Sequence, residues 1–331
     1  MKLKQLGEEK LVAWIKQLAG ERKGTVLGIG DDSAVVRIGQ EYIVLTSDMI
    51  QEKTHIYDGM SHFQAGRKVA VCNFSDLAAM GAEPVGFLFS LGIDDSELFQ
   101  NFKEIFRGVE TVCAEVGATF LGGDMNKSQK LVLSGFAIGK IEKKHLMTRK
   151  GAQAGDIVAV TGHIGSSACG WKILEKRLPL EKFPEEEREK IEGNILSASL
   201  MPEARVKEGR ILAKSGYVTS CIDITDGLAI SLKYLQNDCG FWIDEDRIPV
   251  RREIDWVCDK FGLDKDEIVY RIGEDFELLC TIRPQGWEYL KKRIKGLNEI
   301  GRVTEGNRVK LKRGDGRVET LRLSGYNHFE G

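Results

Sequence analysis

The 331-residue sequence is short of prolines (six) and histidines (five), and its seven cysteines include no CxxC pair. Cys72, Cys113, Cys169, Cys221, Cys239, Cys258 and Cys280 are odd in number and scattered. They read as free thiols of a reducing compartment, which excludes a disulfide framework and a cysteine zinc site. An excess of charge is also missing: 48 basic side chains against 50 acidic ones give a net of −2. A wholly basic nucleic-acid binder is thereby excluded. No apolar run approaches the roughly 18 residues of a membrane helix; the longest, Val85–Ile93, has the length of a strand. The N-terminal MKLKQLGEEK is too charged for a secretory signal, so a cytoplasmic protein is expected. Common nucleotide motifs are lacking too. There is no GxxxxGK[ST], GIGDDS has Ser33 where a dinucleotide fingerprint needs its third glycine, and Asp275-Phe276-Glu277 is not a kinase DFG.

Glycine, by contrast, is abundant: 37 residues, about 11% against a usual share of roughly 7%. Beside so few prolines this is not low complexity; it points to tight turns and close backbone approach to a ligand. The length predicts two domains. The polar, glycine-rich MTRKGAQAGD places their boundary at residues 1–146 and 147–331. Periodicity predicts helices over 3–19, 62–80, 97–115, 167–177, 202–214, 227–237 and 286–294. Strands are expected at 34–38, 42–46, 85–93, 118–122, 131–141, 157–161, 218–224, 276–282 and 299–304. The class is α/β (α+β), with a mainly antiparallel first half. The charge run 181–192 reads as a solvated helix starting after Pro184.

The chemistry lies in acids placed where a carboxylate is expensive. Asp32 follows Gly28-Ile29-Gly30-Asp31, Asp48 ends the apolar IVLTSD, and Asp76 lies inside the apolar helix VCNFSDLAAMGA. Asp124 follows Gly122-Gly123 at the end of TFLGG, and Asp223 and Asp226 close SCIDITDG. An isolated ionised carboxylate in such settings costs several kcal/mol or is neutralised. Any one of them would be read as a cap; six together are not coincidence. With Thr46, Ser47 and Thr225 they make an all-oxygen environment, the preference of Mg²⁺, which also binds substrate phosphates. Gly122-Gly123 and Thr161–Ser167 (TGHIGSS) offer backbone N–H groups to phosphate oxygens. The reading is a metal-bridged polyphosphate site.

These segments resemble the thiamine-monophosphate kinase family, whose superfamily includes aminoimidazole ribonucleotide synthetase and selenophosphate synthetase. The resemblance rests on GIGDDSAVV, TSDMIQEKTH, GRKVAVCNFSDLAAMGAEP, LGGD, TRKGAQAGD, TGHIGSS, DITDGL, GEDFEL and GYNHF. It implies a PurM-like two-domain fold, a homodimer formed through the N-terminal domain, and transfer of the ATP γ-phosphoryl to thiamine monophosphate. Asp32, Thr46, Ser47, Asp48, Asp76, Asp124, Asp223 and Asp226 correspond to ligands of several Mg²⁺ ions. Gly123, Asp124, Arg149 and Thr225 correspond to ATP contacts, and His55, Glu274 and Tyr326 to the substrate side. Phe106 stands where the family usually has a tyrosine against ATP, and Asn327 where an aspartate is common. No general base is implied, because a phosphate nucleophile with a second pKa of about 6 is already ionised. A ring-closing ligase, a selenophosphate synthetase and a non-catalytic nucleotide or Mg²⁺ module are the alternatives. The usual reactive cysteine of selenophosphate synthetases is missing, since the first cysteine is Cys72. No nucleic-acid or membrane partner is expected.

Overall fold

In the computed structural model the described residues are 7–20 and 24–326. The start of the predicted helix 3–19, and Asn327 with the end of GYNHF, therefore lie outside them. The strands of the first half are β1 (Thr25–Leu27), β2 (Ala34–Ile38), β3 (Glu41–Thr46), β4 (Met49–Gln51), β5 (Glu83–Ile93), β6 (Thr119–Lys127) and β7 (Val132–Ile141). They form one sheet in the order β1-β2-β3-β7-β5-β6, with β4 also on β7, and every pair is antiparallel except β5 with β6. The second half contributes β8 (Ile157–Val160), β9 (Val218–Asp223), β10 (Gly240–Asp244), β11 (Leu278–Ile282), β12 (Asn298–Thr304), β13 (Val309–Lys312) and β14 (Val318–Thr320). These pair in the order β14-β13-β10-β12-β8-β11-β9, parallel only between β10 and β13. The expected α/β (α+β) class, with an antiparallel first half, is what the chain adopts.

The helices that matter here are α1 (Glu8–Leu18), α2 (His62–Ala79), α3 (Phe99–Val116), α4 (Ser166–Glu175), α5 (Glu185–Ile191), α6 (Ser197–Leu200), α7 (Val206–Ser215) and α8 (Leu228–Leu235). Helix α5 follows Pro184, as the charge run predicts. The expected helix 286–294 is shorter, Trp287–Lys291, after a 3₁₀ turn at Pro284–Gly286.

Helix α2 is the axis of the molecule. A capping box fixes its start: Gln64 N donates to Ser61 Oγ at 3.2 Å, and Ser61 N donates to Gln64 Oε1 at 2.8 Å. Small residues along its length (Ala65, Gly66, Ala70, Ala78, Ala79) let neighbours approach on several sides, and most of it is buried. It packs on α3 and β7 of its own half and on α7 and β9 of the other. The crossing onto the other half is close at Gly209, where a Cβ would stand 2.2 Å from the Ala78 carbonyl oxygen. One apolar cluster therefore runs from Phe74, Leu77 and Phe87 through to Leu212, Cys221 and Cys280. Covering residues of that size contributes roughly 1.5–3 kcal/mol each. This shared core holds the polar face of α2 against the end of β9, and there the acids meet.

Candidate active site

Three carboxylates from three separate elements converge. Asp32 comes from the loop before β2, Asp76 from α2 and Asp223 from the last position of β9, and one oxygen of each lies within 4.8 Å of the others. Neighbours orient them: Thr46 Oγ1 donates to Asp76 Oδ2 at 2.5 Å, and Ser75 Oγ donates to Asp223 Oδ2 at 2.5 Å. Asp48 is placed by its own backbone, whose N–H donates to Asn73 Oδ1 at 3.0 Å and whose carbonyl accepts from Gly135 N at 2.8 Å. Arg149 is the counter-ion. Its Nε and Nη2 donate to Asp32 Oδ1 at 3.0 and 2.6 Å, and its backbone N–H donates to Asp31 at 3.2 Å. Asp32 Oδ2 is buried without a hydrogen-bond partner.

Burial is the first cause of the cluster's altered acidity, mutual repulsion the second. Asp76 is pushed far above the usual carboxylate range by burial, with Asp48, Asp223 and Asp32 adding to it. Asp32 also rises through burial, against the pull of Arg149. Asp223 is raised to about 6, again chiefly by burial. Two unit charges about 4 Å apart repel by roughly 4 kcal/mol at an effective dielectric of 20, so the group is electrostatically unfavourable by itself.

The acids line a cavity of about 310 Å³, and His55, Tyr57, Trp171, Phe276, Glu274 and Tyr326 line it too. Tyr57 and Trp171 make a tilted aromatic pair with ring centroids 6.2 Å apart. Glu274 is held at φ 59°, and Gly273 before it at φ 87° fits so closely that a Cβ would lie 2.2 Å from the Thr225 carbonyl oxygen. Glu274 N donates to that same oxygen at 2.7 Å, which fixes the loop's direction. Its carboxylate accepts from the Tyr57 hydroxyl and pairs with Lys68 Nζ at 2.7 Å. Burial raises the Glu274 carboxyl above its ordinary range and lowers the Lys68 ammonium below its own. The cavity thus brings a cluster of anionic oxygens together with aromatic side chains and one further carboxylate.

Residues 30–141 match the model of the AIR synthase related protein N-terminal domain, and residues 153–314 that of the corresponding C-terminal domain. The thiamine-monophosphate kinase of Pyrococcus horikoshii is 34% identical over 305 residues, 92% of this chain and 91% of the relative. That of Aquifex aeolicus is 30% identical over 99% of this chain and 100% of its own. The chain belongs to the thiamine-monophosphate kinase family. In three dimensions it is similar to AaThiL complexed with AMPPCP and TMP, with a TM-score of 0.85 at 29% identity over 99% of both chains.

Of the residues singled out in the sequence, the fold brings Asp32, Asp48, Asp76, Asp223, Asp226, Arg149, Thr225, His55, Glu274 and Tyr326 to this one cavity. Thr46 joins through its hydrogen bond to Asp76. Ser47 turns its hydroxyl to the Gly135 carbonyl at 2.9 Å and is not on the wall. Gly123 and Asp124 also lie apart. Strand β6 does not stop at Gly123 but runs to Lys127, leaving Asp124 exposed within an edge strand, where it accepts from Asn126 Nδ2 at 2.8 Å. Phe106 is packed among Phe89, Phe102 and Phe120, away from the cavity.

The TGHIGSS segment does not reach the acids either. It lines a separate, smaller cavity with Asp275, whose carboxylate accepts from Gly165 N at 3.0 Å at the start of α4. A side chain of the protein thus occupies the anion position that the glycines suggested. Sequence reasoning missed Lys68, Tyr57, Trp171 and Ser75. A visible signal existed for Lys68 alone, a charge inside the apolar helix GRKVAVCNF.

Proposed function

We propose that this chain transfers the γ-phosphoryl group of ATP to the phosphate of thiamine monophosphate, giving thiamine diphosphate. The observation that carries the proposal is the union, in one cavity, of the Asp32–Asp76–Asp223 cluster with aromatic side chains and Glu274. The likeness to AaThiL complexed with AMPPCP and TMP supports it over nearly the whole chain.

Magnesium suits the acids: the donors are hard oxygens, and Asp32 Oδ2 is buried without any other partner. Asp32, Asp76 and Asp223 would hold such ions, with Asp48 and Asp226 beside them. Bound Mg²⁺ supplies charge neutralisation between two anionic reactants and the leaving phosphate. The remaining work falls to the chain. Thr46 and Ser75 orient carboxylates, and Arg149 keeps Nη1 for a phosphate oxygen while its other nitrogens hold Asp32. Tyr57, Trp171 and Tyr326 offer flat faces to the two rings of the substrate, and Glu274 accepts from its amino group. The attacking phosphate is already ionised, so positioning replaces a general base.

A homodimer is part of this reading. Leu88 and Leu121 face away from α2 and α3 and are 37% and 53% exposed, beside Phe136 and Ile138. Asp124, in register with Ser90, faces the same way. A second copy covering this face would bury it, and would turn Gly123 and Asp124 toward an interface site for ATP and Mg²⁺. Phe106 then supports this edge from behind.

The test is ADP release from Mg²⁺-ATP with thiamine monophosphate, thiamine, formylglycinamidine ribonucleotide or selenide as acceptor. Release with thiamine monophosphate alone is expected. Release with another acceptor, or with none, sinks the proposal.

A further inference from the structure

Lys68 is 0% exposed, on the stripe of α2 that also carries Cys72 and Asp76 at successive four-residue steps. A lysine so placed persists only where its ammonium is paired and fully hydrogen-bonded. Nζ reaches the His55 carbonyl at 2.8 Å, the Tyr57 hydroxyl oxygen at 2.8 Å, and Glu274 Oε1 and Oε2 at 2.7 and 2.9 Å. Three protons therefore serve three residues. The Tyr57 hydroxyl in turn donates a hydrogen bond to Glu274 Oε2. Tyr57, His55 and Glu274 line the cavity, whereas Lys68 stands behind them.

These contacts join the two halves of the chain. His55, Tyr57 and Lys68 belong to the first, Glu274 to the second. Glu274 also occupies a left-handed backbone conformation, φ 59°, which strains a non-glycine residue and lasts only when its surroundings hold it. The Lys68 pair is what its side chain gains there. With donors supplied to the carboxylate from Lys68 and Tyr57, its remaining acceptor capacity faces the cavity.

We propose that Lys68 is a positioning residue for the organic end of the substrate: it fixes the Glu274 carboxylate and the Tyr57 ring and does not take part in events at the acid cluster. The proposal rests on the cavity being the thiamine-monophosphate site. Its signature is a rise in KM for thiamine monophosphate with KM for ATP unchanged.

The experiment compares steady-state kinetics and thermal melting of full-length Lys68→Met, Glu274→Gln, the double variant and Tyr57→Phe. Lys68→Met and Glu274→Gln should each raise KM for thiamine monophosphate about tenfold or more, the loss of one charge-assisted hydrogen bond. The double variant should be no worse than the poorer single one, and should melt higher than Lys68→Met because no buried charge is left unpaired. Tyr57→Phe, which keeps the ring, should raise the same KM about threefold; it decides the question if Lys68→Met does not fold. A Lys68→Met protein that melts lower yet keeps KM for thiamine monophosphate within about twofold overturns the proposal. So does an equal rise in KM for ATP, or a fall in kcat alone. Failure of the unaltered protein to use thiamine monophosphate overturns the reading of the cavity itself; normal use with a flat KM in the variants overturns only the role of Lys68.

Discussion

The acid cluster stores repulsion, so neutralising one member should stabilise the metal-free protein while it destroys function. Asp223→Asn is the cleanest perturbation: the residue ends β9, is buried, and accepts from Ser75 Oγ at 2.5 Å, which an amide oxygen can also do. Its carboxyl is raised from 3.8 to about 6, first by burial. A carboxyl whose folded value exceeds its unfolded one binds more protons when folded, so stability is highest at low pH and falls as pH rises toward the folded value. At 1.36 kcal/mol per unit the penalty of ionised Asp223 is about 3 kcal/mol at pH 7.5 and about 1 kcal/mol at pH 4.5. Asparagine removes it. In EDTA at pH 7.5 the variant should melt roughly 5 °C above the unaltered protein, and by clearly less at pH 4.5. Mg²⁺-ATP should raise the melting temperature of the unaltered protein but hardly that of the variant, whose turnover should fall about a hundredfold or more. Thermal melts at the two pH values, with and without Mg²⁺-ATP, read all of this. A variant that melts lower at pH 7.5 in EDTA, or gains equally at both pH values, refutes the electrostatic account.

Asp124→Asn should cut turnover by orders of magnitude while leaving the melting temperature within about 1 °C, since an exposed edge position contributes little to stability; near-normal rates would remove the residue from the metal set. Arg149→Met takes the counter-charge from Asp32 and the free guanidinium nitrogen from the cavity, so KM for ATP should rise about tenfold or more, measured at saturating thiamine monophosphate. An unchanged KM for ATP would confine Arg149 to holding Asp32. Leu121→Glu puts a charge on the outward face of the first sheet and should convert a dimer to monomers in light scattering after gel filtration. A protein that is monomeric without the substitution refutes the proposed interface.

The sequence by itself determined most of the element types and singled out most of the acids that gather in the cavity. Strands such as Ala34–Ile38 and helices such as His62–Ala79 carry their period locally, and turns and caps follow from residues a few positions apart. Aspartates inside apolar runs announce themselves because burying a charge is costly wherever it occurs. Strand β10, Gly240–Asp244, and the helix Arg252–Phe261 went unpredicted. The first is a five-residue run whose strand identity comes from partners β12 and β13 on either side, not from its own pattern.

What only the tertiary structure decided is who stands beside whom. Asp32, Asp76 and Asp223 are separated by 44 and 147 positions, and it is the packing of α2 on β9, beside the close contact of α7 with α2 at Gly209, that closes the longer gap. The same packing sets Lys68 against Glu274 and leaves Asp124 and TGHIGSS elsewhere, although their local sequence looks as suited to phosphate as any other. Local composition fixes what a residue can do; long-range burial of apolar surface fixes which residues do it together.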